Sequence, residues 1–420
     1  MSGGVDSSVA AAILRRDGYD VVGCFMRLGN PGESIEAPPS VGACAAPAGS
    51  ARSDGTSLRI RHRGCCSVSD AADARAVAAE LGIPFYVCNF KRDFGRVIDY
   101  FVDEYAAGRT PNPCVRCNDW LKFGRLHEYA RQVGAEFVAS GHYARLRPAG
   151  SADGASAGGV ESRAPARVRP AGEGGFRLLR AMDRAKDQSY VLFGLPREQL
   201  SRTLLPVGEY HKADVRDLAR RFGLPVFDKP DSQEICFVPD DDYAALVEER
   251  RPRVTVSGGA PEGRIVDVHG RTIGRHDGQH RYTIGQRRGV GVAAGAGLFV
   301  LDKDASANTI TVGPRERLLV DGCLAGEANW LVDPGELGAD PDGWFPCRAR
   351  HRYNAEAVSA RARVLPDAER PGPSGRSGRF EVRFDQPQVA VAPGQAIVLY
   401  DADGGDVVLG GGWIESAARR

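Results

Sequence analysis

Lysine is nearly missing from this chain: six of its 55 basic residues are Lys and the other 49 are Arg. Much of that bias is what an Arg-rich genomic composition would give, so abundant Arg is not by itself a sign of RNA binding. Charge excess is missing too. The 55 basic residues face 54 acidic ones for a net charge of +1, which excludes a uniformly basic nucleic-acid coat but not a locally basic face. No apolar run approaches the ~18–20 residues of a membrane span. Residues 1–14 carry neither a basic n-region nor a cleavage site. These absences point to a cytoplasmic protein with no membrane partner. Ten cysteines in 420 residues are too sparse for a disulfide scaffold, and close spacing points instead to metal or sulfur chemistry. Three places qualify: Cys65-Cys66, Cys114-x-x-Cys117 and Cys236.

What is present is an average globular composition, 42% apolar and 26% charged, over a length that suits two or three domains. Residues 1–222 alternate helical and strand patterns. Helices are expected over 5–16, 69–81, 92–107 and 118–133, and short apolar strands over 20–26, 84–89 and 136–140. That alternation predicts an α/β domain with a doubly wound parallel sheet. Two stretches, 30–64 and 148–175, have few large apolar residues and are expected to be disordered insertions. Residues 223–296 read as a small central linking domain. From 297 to 420 the pattern changes to alternating strands (GLFVLDKD, NTITVG, CRARHRY, AVSARARV, RFEVRF, VVLGGG), which predicts a C-terminal antiparallel β-barrel with a disordered tip at 366–378.

The chain opens Met1-Ser2-Gly3-Gly4-Val5-Asp6-Ser7-Ser8 and runs into an Ala-rich helix. Two glycines permit a tight turn, and the helix N-terminus aims N–H groups at an anion. The serines add hydroxyl donors, and Asp6 is placed to cap the helix or help hold Mg²⁺. A Walker A motif is absent. SGGVDSS is the signature of the ATP pyrophosphatase (PP-loop) superfamily, whose loop follows a first core strand. No strand pattern precedes Met1 in this sequence. The expectation is that the start lies upstream or that the strand is lost, and that the chain as written folds poorly. Met26, ending the second strand, and Ser140-Gly141-His142-Tyr143, after the strand over 136–140, fall at the ligand-facing edge of such a sheet.

Cys117 lies in Thr110-Pro111-Asn112-Pro113-Cys114-Val115-Arg116-Cys117-Asn118, a loop stiffened by two prolines. Placed at the start of the next helix and beside Arg116, its thiol is expected to ionise readily. Cys236 ends a polar loop, DKPDSQEI, that leads into an apolar strand. Cys65-Cys66 opens a helix, and adjacent thiols rarely chelate one metal. Two Arg clusters offer a basic face: Arg271, Arg275, Arg281, Arg287 and Arg288, opposed by Asp277, and Arg348, Arg350 and Arg352 on one face of a strand beside His351. A solvated Arg face is the plain alternative for both.

SGGVDSS, GRTPNPxxxCN, GHYAR, KDQSYVL, DKPDSQEICF, YTIGQRRGVG and GGGWI occur in this order over essentially the whole chain. Together they resemble the bacterial tRNA-specific 2-thiouridylase family of the PP-loop superfamily. The resemblance implies a cytoplasmic, ATP- and Mg²⁺-dependent tRNA sulfurtransferase that adenylates O2 of the wobble uridine and installs sulfur, releasing AMP and pyrophosphate. Adenylation turns a poor leaving group into AMP, and a soft sulfur nucleophile then attacks C2. By the same resemblance Cys117 is the nucleophile and Cys236 carries the persulfide. Met1, Ser2, Gly3, Gly4, Val5, Asp6, Ser7, Met26 and Gly141 would bind ATP, and Asn112, Pro113 and Cys114 would meet the target base. His142, Lys186, Asp187, Gln188, Arg352, Tyr353 and Gln395 would touch tRNA. The implied partners are the anticodon stem-loop of a tRNA, whose base must flip out to react, and a persulfide donor such as a cysteine desulfurase or a relay protein.

One residue departs from the family pattern. Many relatives carry Asp where this chain has Cys114, and a thiol does not replace that carboxylate. Cys114, Cys117 and Cys236 form instead a trio able to hold a [4Fe–4S] cluster, so persulfide relay and cluster-bound sulfide both stay open. Two other classes compete: a PP-loop ligase, which needs neither paired cysteines nor a barrel, and a non-catalytic RNA-binding module.

Overall fold

The computed structural model describes residues 1–29, 68–150, 175–231, 235–238, 242–250, 263–292, 297–368 and 371–418. Cys65-Cys66 and nearly all of the two stretches expected to be disordered lie outside them. The N-terminal region opens with α1 (Val5–Arg16), whose Val9, Ala10, Ala12 and Ile13 are buried. It continues through β1 (Gly23–Arg27), α2 (Val68–Glu80) and β2 (Phe85–Asn89). β1 and β2 pair in parallel, Cys24 opposite Tyr86 and Met26 opposite Cys88. In α3 (Lys91–Ala106) Phe94, Val97, Ile98, Phe101, Val102 and Tyr105 recur at helical spacing and are buried as one stripe.

The helix expected over 118–133 starts earlier. Pro113 opens α4 (Pro113–Cys117), which runs straight into a π-helical segment, Asn118–Arg125, and then α5 (Leu126–Gln132). The reason is local: Asn112 caps the helix by accepting the Val115 amide at 3.3 Å, and proline suits the first helical position. β3 (Val138–Ala139) is followed by the antiparallel pair β4 (Ala144–Pro148) and β5 (Phe176–Arg180). β6 (Thr203–Leu204) then pairs in parallel with β3, and α6 (Lys212–Arg221) packs on α1. Parallel strands flanked by helices give the expected α/β architecture. Among the described residues they form two separate pairs, β1–β2 and β3–β6.

After α7 (Tyr243–Arg250) comes a four-stranded sheet of β7 (Gly263–Val266), β8 (Thr272–His276), β9 (Phe299–Asp304) and β10 (Thr309–Gly313), in the order β8-β7-β10-β9. GLFVLDKD and NTITVG, expected in the barrel, thus belong to this central sheet, with β10 lying between β7 and β9. Alternation identifies a half-buried strand but not its partner.

The barrel is closed and antiparallel, of six strands: β11 (Leu319–Trp330), β12 (Trp344–Arg350), β13 (Val358–Leu365), β14 (Arg379–Val389), β15 (Ala396–Tyr400) and β16 (Val408–Ala418). Its interior is filled by alternate residues such as Phe345, Cys347 and Ala349, or Phe380, Val382 and Phe384. GGGWI has a packing cause. A Cβ at Gly411 would lie 2.7 Å from both the Phe193 ring and the Ile397 carbonyl oxygen. Phe193, Tyr190 and Val115 of the N-terminal region share one apolar cluster with Val398, Tyr400 and Trp413 of the barrel.

Two expectations about the barrel are corrected. The tip read as disordered is docked in its described part: the Pro373 carbonyl accepts from Arg96 (2.7 Å), the Ser374 amide donates to Glu327 (2.8 Å) and Arg376 donates to the Gly194 carbonyl (2.8 Å). Backbone groups and one ion do the work there, so apolar content gave no sign of it. The Arg348, Arg350 and Arg352 stripe is not one solvated row. β12 ends at Arg350, which is buried on Asp187, while Arg348 and Arg352 donate to the carbonyls of Ala357 and Ala390.

Candidate active site

The phosphate loop is wound tightly at the start of α1. Gly3 takes φ +72°, and a Cβ there would lie 2.3 Å from the Asp70 carbonyl oxygen. The Ser2 amide donates to Ser7 Oγ (3.1 Å), while Ser7 and Ser8 hydroxyls donate to the Gly4 carbonyl at 3.2 and 2.8 Å. Gly141 is pressed against this loop: its Cβ would sit 2.6 Å from the Ser7 nitrogen and the Asp6 carbonyl carbon. The Met1 amino group donates to the Cys24 carbonyl of β1, and Met26 packs half-buried against the α3 stripe.

Three lysines that the motifs did not single out for this place surround the loop. Lys212 Nζ donates to both Asp6 oxygens (2.7 and 2.9 Å) and lies 2.8 Å from Asp231. Lys186 and Arg216 also reach Asp231, at 2.9 and 3.2 Å. Lys229 donates to the Gly3 carbonyl (3.0 Å), Asp70 (2.6 Å) and Asp73 (2.6 Å). Burial would raise the Asp231 carboxyl, but hydrogen bonds from Lys212 and Lys186 outweigh it and hold the group below the usual carboxylate range. The Tyr143 hydroxyl donates to Asp6 at 2.8 Å; burial and that carboxylate push the phenol up, so it stays a donor. The result is a turn of backbone N–H groups ringed by ammonium and carboxylate groups, suited to a polyphosphate with its divalent cation. The rarity of Lys was the signal available in the sequence.

The thiol-bearing loop is gripped from the barrel side. The Thr110 amide donates to the Pro393 carbonyl (2.9 Å), and Gln395 Nε2 donates to the carbonyls of Thr110 (3.2 Å) and Pro111 (3.1 Å). Cys114 is exposed, and its carbonyl accepts from Asn118 Nδ2 at 3.0 Å. Cys117 is half-buried at the junction of α4 with the π-helical segment, and the neighbouring Arg116 guanidinium is bonded to Glu327 (2.6 Å). Cys236 is exposed on a turn beside Phe237, whose ring packs edge-on against Phe94 and Phe101 of α3 at 5.5 and 5.2 Å. Cys117 packs against the same apolar cluster as Ile235, Phe237 and Val238.

Among the described residues no three His, Cys, Asp or Glu side chains are grouped to hold a metal. Cys114, Cys117 and Cys236 are thus not gathered as the [4Fe–4S] alternative requires.

Comparison with known proteins follows this division. Residues 1–240 match a family model described as the tRNA methyl transferase HUP domain, residues 255–314 the tRNA methyl transferase PRC-barrel domain, and residues 320–414 an aminomethyltransferase β-barrel domain. The chain is 44% identical to the tRNA-specific 2-thiouridylase of Rhodopirellula baltica, covering 99% of this chain and 95% of that one. Those of Geotalea uraniireducens and Solibacter usitatus are each 43% identical, over 99% of this chain and 94% and 98% of theirs. The chain belongs to the tRNA-specific 2-thiouridylase family.

For a 2-thiouridylase the residues expected on tRNA divide into two sorts. Tyr353 is exposed at its edge, with burial and then Asp187 raising its phenol against the pull of Arg350, and Gln188 accepts from the Tyr143 amide at 2.9 Å. Arg352 is half-buried and Lys186 is on Asp231. Others face inward. The Asp187 carboxylate is 0% exposed and accepts from Arg180, Arg350, the Ala181 and Ser189 amides and the Ser189 hydroxyl. His142 is buried with Nδ1 2.7 Å from Ser140 Oγ; burial, then Lys122, hold it well below its usual value, so it is neutral. Of the other Arg cluster, Arg271 pairs with Asp267, Arg281 with Glu248, and Arg287 lies over Phe299. No described helix is long and apolar enough to cross a membrane.

Proposed function

We propose that this chain is an ATP-dependent tRNA sulfurtransferase of the cytoplasm that converts the wobble uridine of tRNA to 2-thiouridine, with release of AMP and pyrophosphate. The observation that carries the proposal is the placement of a phosphate loop and two thiol-bearing segments around one α/β domain, with a barrel holding the loop of Cys114 and Cys117. The phosphate loop, Gly141 and Met26 would bind ATP, with Lys212, Lys186 and Lys229 balancing phosphate charge. Asp6 and Asp231 would offer the hard oxygen donors that Mg²⁺ prefers, and a bound Mg²⁺ would supply charge neutralisation to the phosphates.

The flipped uracil would meet Asn112, Pro113 and Cys114, flanked by Gln188, Tyr353 and Gln395. Its O2 attacks the α-phosphorus and pyrophosphate leaves. A persulfide donor loads Cys236 as the –S–SH form. The Cys117 thiolate attacks the inner sulfur of that persulfide, a Cys117–Cys236 disulfide forms, and the outer sulfur leaves as hydrosulfide. Two thiol sulfurs are thereby oxidised and one sulfane sulfur is reduced. Hydrosulfide adds to C2, AMP departs, and a thiol reductant resets the disulfide.

The test is incubation with Mg-ATP, a persulfide donor and tRNA, followed by nucleoside analysis. 2-Thiouridine at the wobble position is expected. ATP cleavage without a thiolated nucleoside would favour a PP-loop ligase instead.

A further inference from the structure

Arg116 stands between the two cysteines of the thiol loop yet is 1% exposed. Its guanidinium makes two bonds to the Glu327 carboxylate, 2.9 and 2.6 Å, and lies 3.8 Å from the Trp413 ring centre. Glu327 is a barrel residue at an irregularity in β11, held at φ +49°. A non-glycine residue in that conformation is maintained only by its surroundings; here they include the Ser374 amide, which donates to the same carboxylate at 2.8 Å. A second arginine runs the opposite way. Arg376, in the β13–β14 connection, donates to the Gly194 carbonyl (2.8 Å) and lies 3.4 Å from Asp119. Asp119 stands in the first turn of the π-helical segment that follows Cys117. Such segments are rare and occur frequently at functional sites.

One arm thus leaves the thiol loop just before Cys117 and grips the barrel. The other leaves the barrel and grips the chain just after it. A planar bidentate guanidinium fixes direction as well as distance. Neither arginine is placed to meet RNA through these contacts.

We propose that Arg116 and Arg376 form a reciprocal clamp through which the barrel sets the position of Cys117, so that both are positioning residues for the sulfur-transfer step. The proposal of a role in sulfur transfer rests on the function proposed above; the proposal that the clamp sets the thiol's position does not.

The test uses the full chain with Arg376→Ala, Arg376→Lys and Arg116→Lys. Arg376 is the milder site, being only part-buried, and it decides the matter if Arg116→Lys fails to fold. Peptide-resolved alkylation compares Cys117 with Cys236. Single-turnover assays separate adenylation of tRNA from appearance of 2-thiouridine. In Arg376→Ala the Cys117 alkylation rate is expected to change at least about threefold with Cys236 unchanged. Thiolation should slow about tenfold while adenylation and tRNA affinity stay within twofold; Arg376→Lys should recover part of the loss. Unchanged Cys117 alkylation in every folded variant overturns the clamp, as does a loss of tRNA affinity that accounts for the whole loss of rate. If the wild-type chain makes no 2-thiouridine, the proposed function fails, and alkylation still judges the clamp.

Discussion

Gly141→Ala is the sharpest probe of the nucleotide site. An alanine Cβ would stand 2.6 Å from the Asp6–Ser7 peptide, where ordinary contact begins at 3.4 Å. The contacted atoms are backbone, so no flexible side chain can yield. The loop must retreat by about 0.8 Å, taking with it amides that would meet phosphate. Overpacking of this kind costs about 1–3 kcal/mol of stability, and misplacing a binding element by about 1 Å costs about a hundredfold in rate. The assay is kcat/KM for ATP in the thiolation reaction, with urea unfolding to measure the stability change. Gly95→Ala is the control: it lies inside α3 with nothing within 4 Å of its Cβ. That change should stabilise the chain by about 0.5–1 kcal/mol and leave ATP kinetics alone. Gly141→Ala with kcat/KM within twofold of wild type would refute both the close approach and the place of Gly141 in the site.

Cys117→Ser and Cys236→Ser should each abolish 2-thiouridine, read by nucleoside analysis, while AMP formation with tRNA continues. His351 gives a pH signature: burial lowers it to about 4, so the unfolded chain binds a proton that the folded chain does not. Its contribution is full above about pH 6.5 and is lost as pH falls towards 4, roughly 3 kcal/mol in total. His351→Leu should flatten urea-midpoint profiles over that window, and parallel profiles would discount it. Lys229→Arg should lower kcat/KM for ATP about tenfold with unchanged tRNA affinity, because three short ammonium contacts cannot be remade by a planar fork.

The helices were legible wherever a face repeats. α1 coincides with the span read from its Ala-rich pattern, and α3 differs by a residue at each end. The barrel was legible as a change of period, but β9 and β10 carry the same alternation and pair elsewhere. Partner choice depends on contacts distant in sequence. Arg116 shows the same limit at the site. Adjacent to Cys117 along the chain, it reads as a group that would lower the thiol's pKa. Its bonds run to Glu327, 211 positions away, and no local pattern reports that. The Arg stripe failed likewise: period two placed Arg348 and Arg350 on one face, but Asp187 turned Arg350 into a core residue.

The uneven use of cations makes the same point from chemistry. Lys212 meets three carboxylate oxygens, two on Asp6 and one on Asp231, and Lys229 meets the Gly3 carbonyl and two carboxylates. Three acceptors around one nitrogen match the three N–H donors of an ammonium and do not match the planar guanidinium. Where a planar fork serves, at Glu327 or Asp187, this chain uses Arg. Lysine therefore stands where a point charge must gather oxygens from several directions. Three of the chain's six lysines, Lys186, Lys212 and Lys229, stand at the phosphate loop. In this Arg-rich chain the lysines therefore mark the proposed polyphosphate site more sharply than the arginines mark an RNA surface.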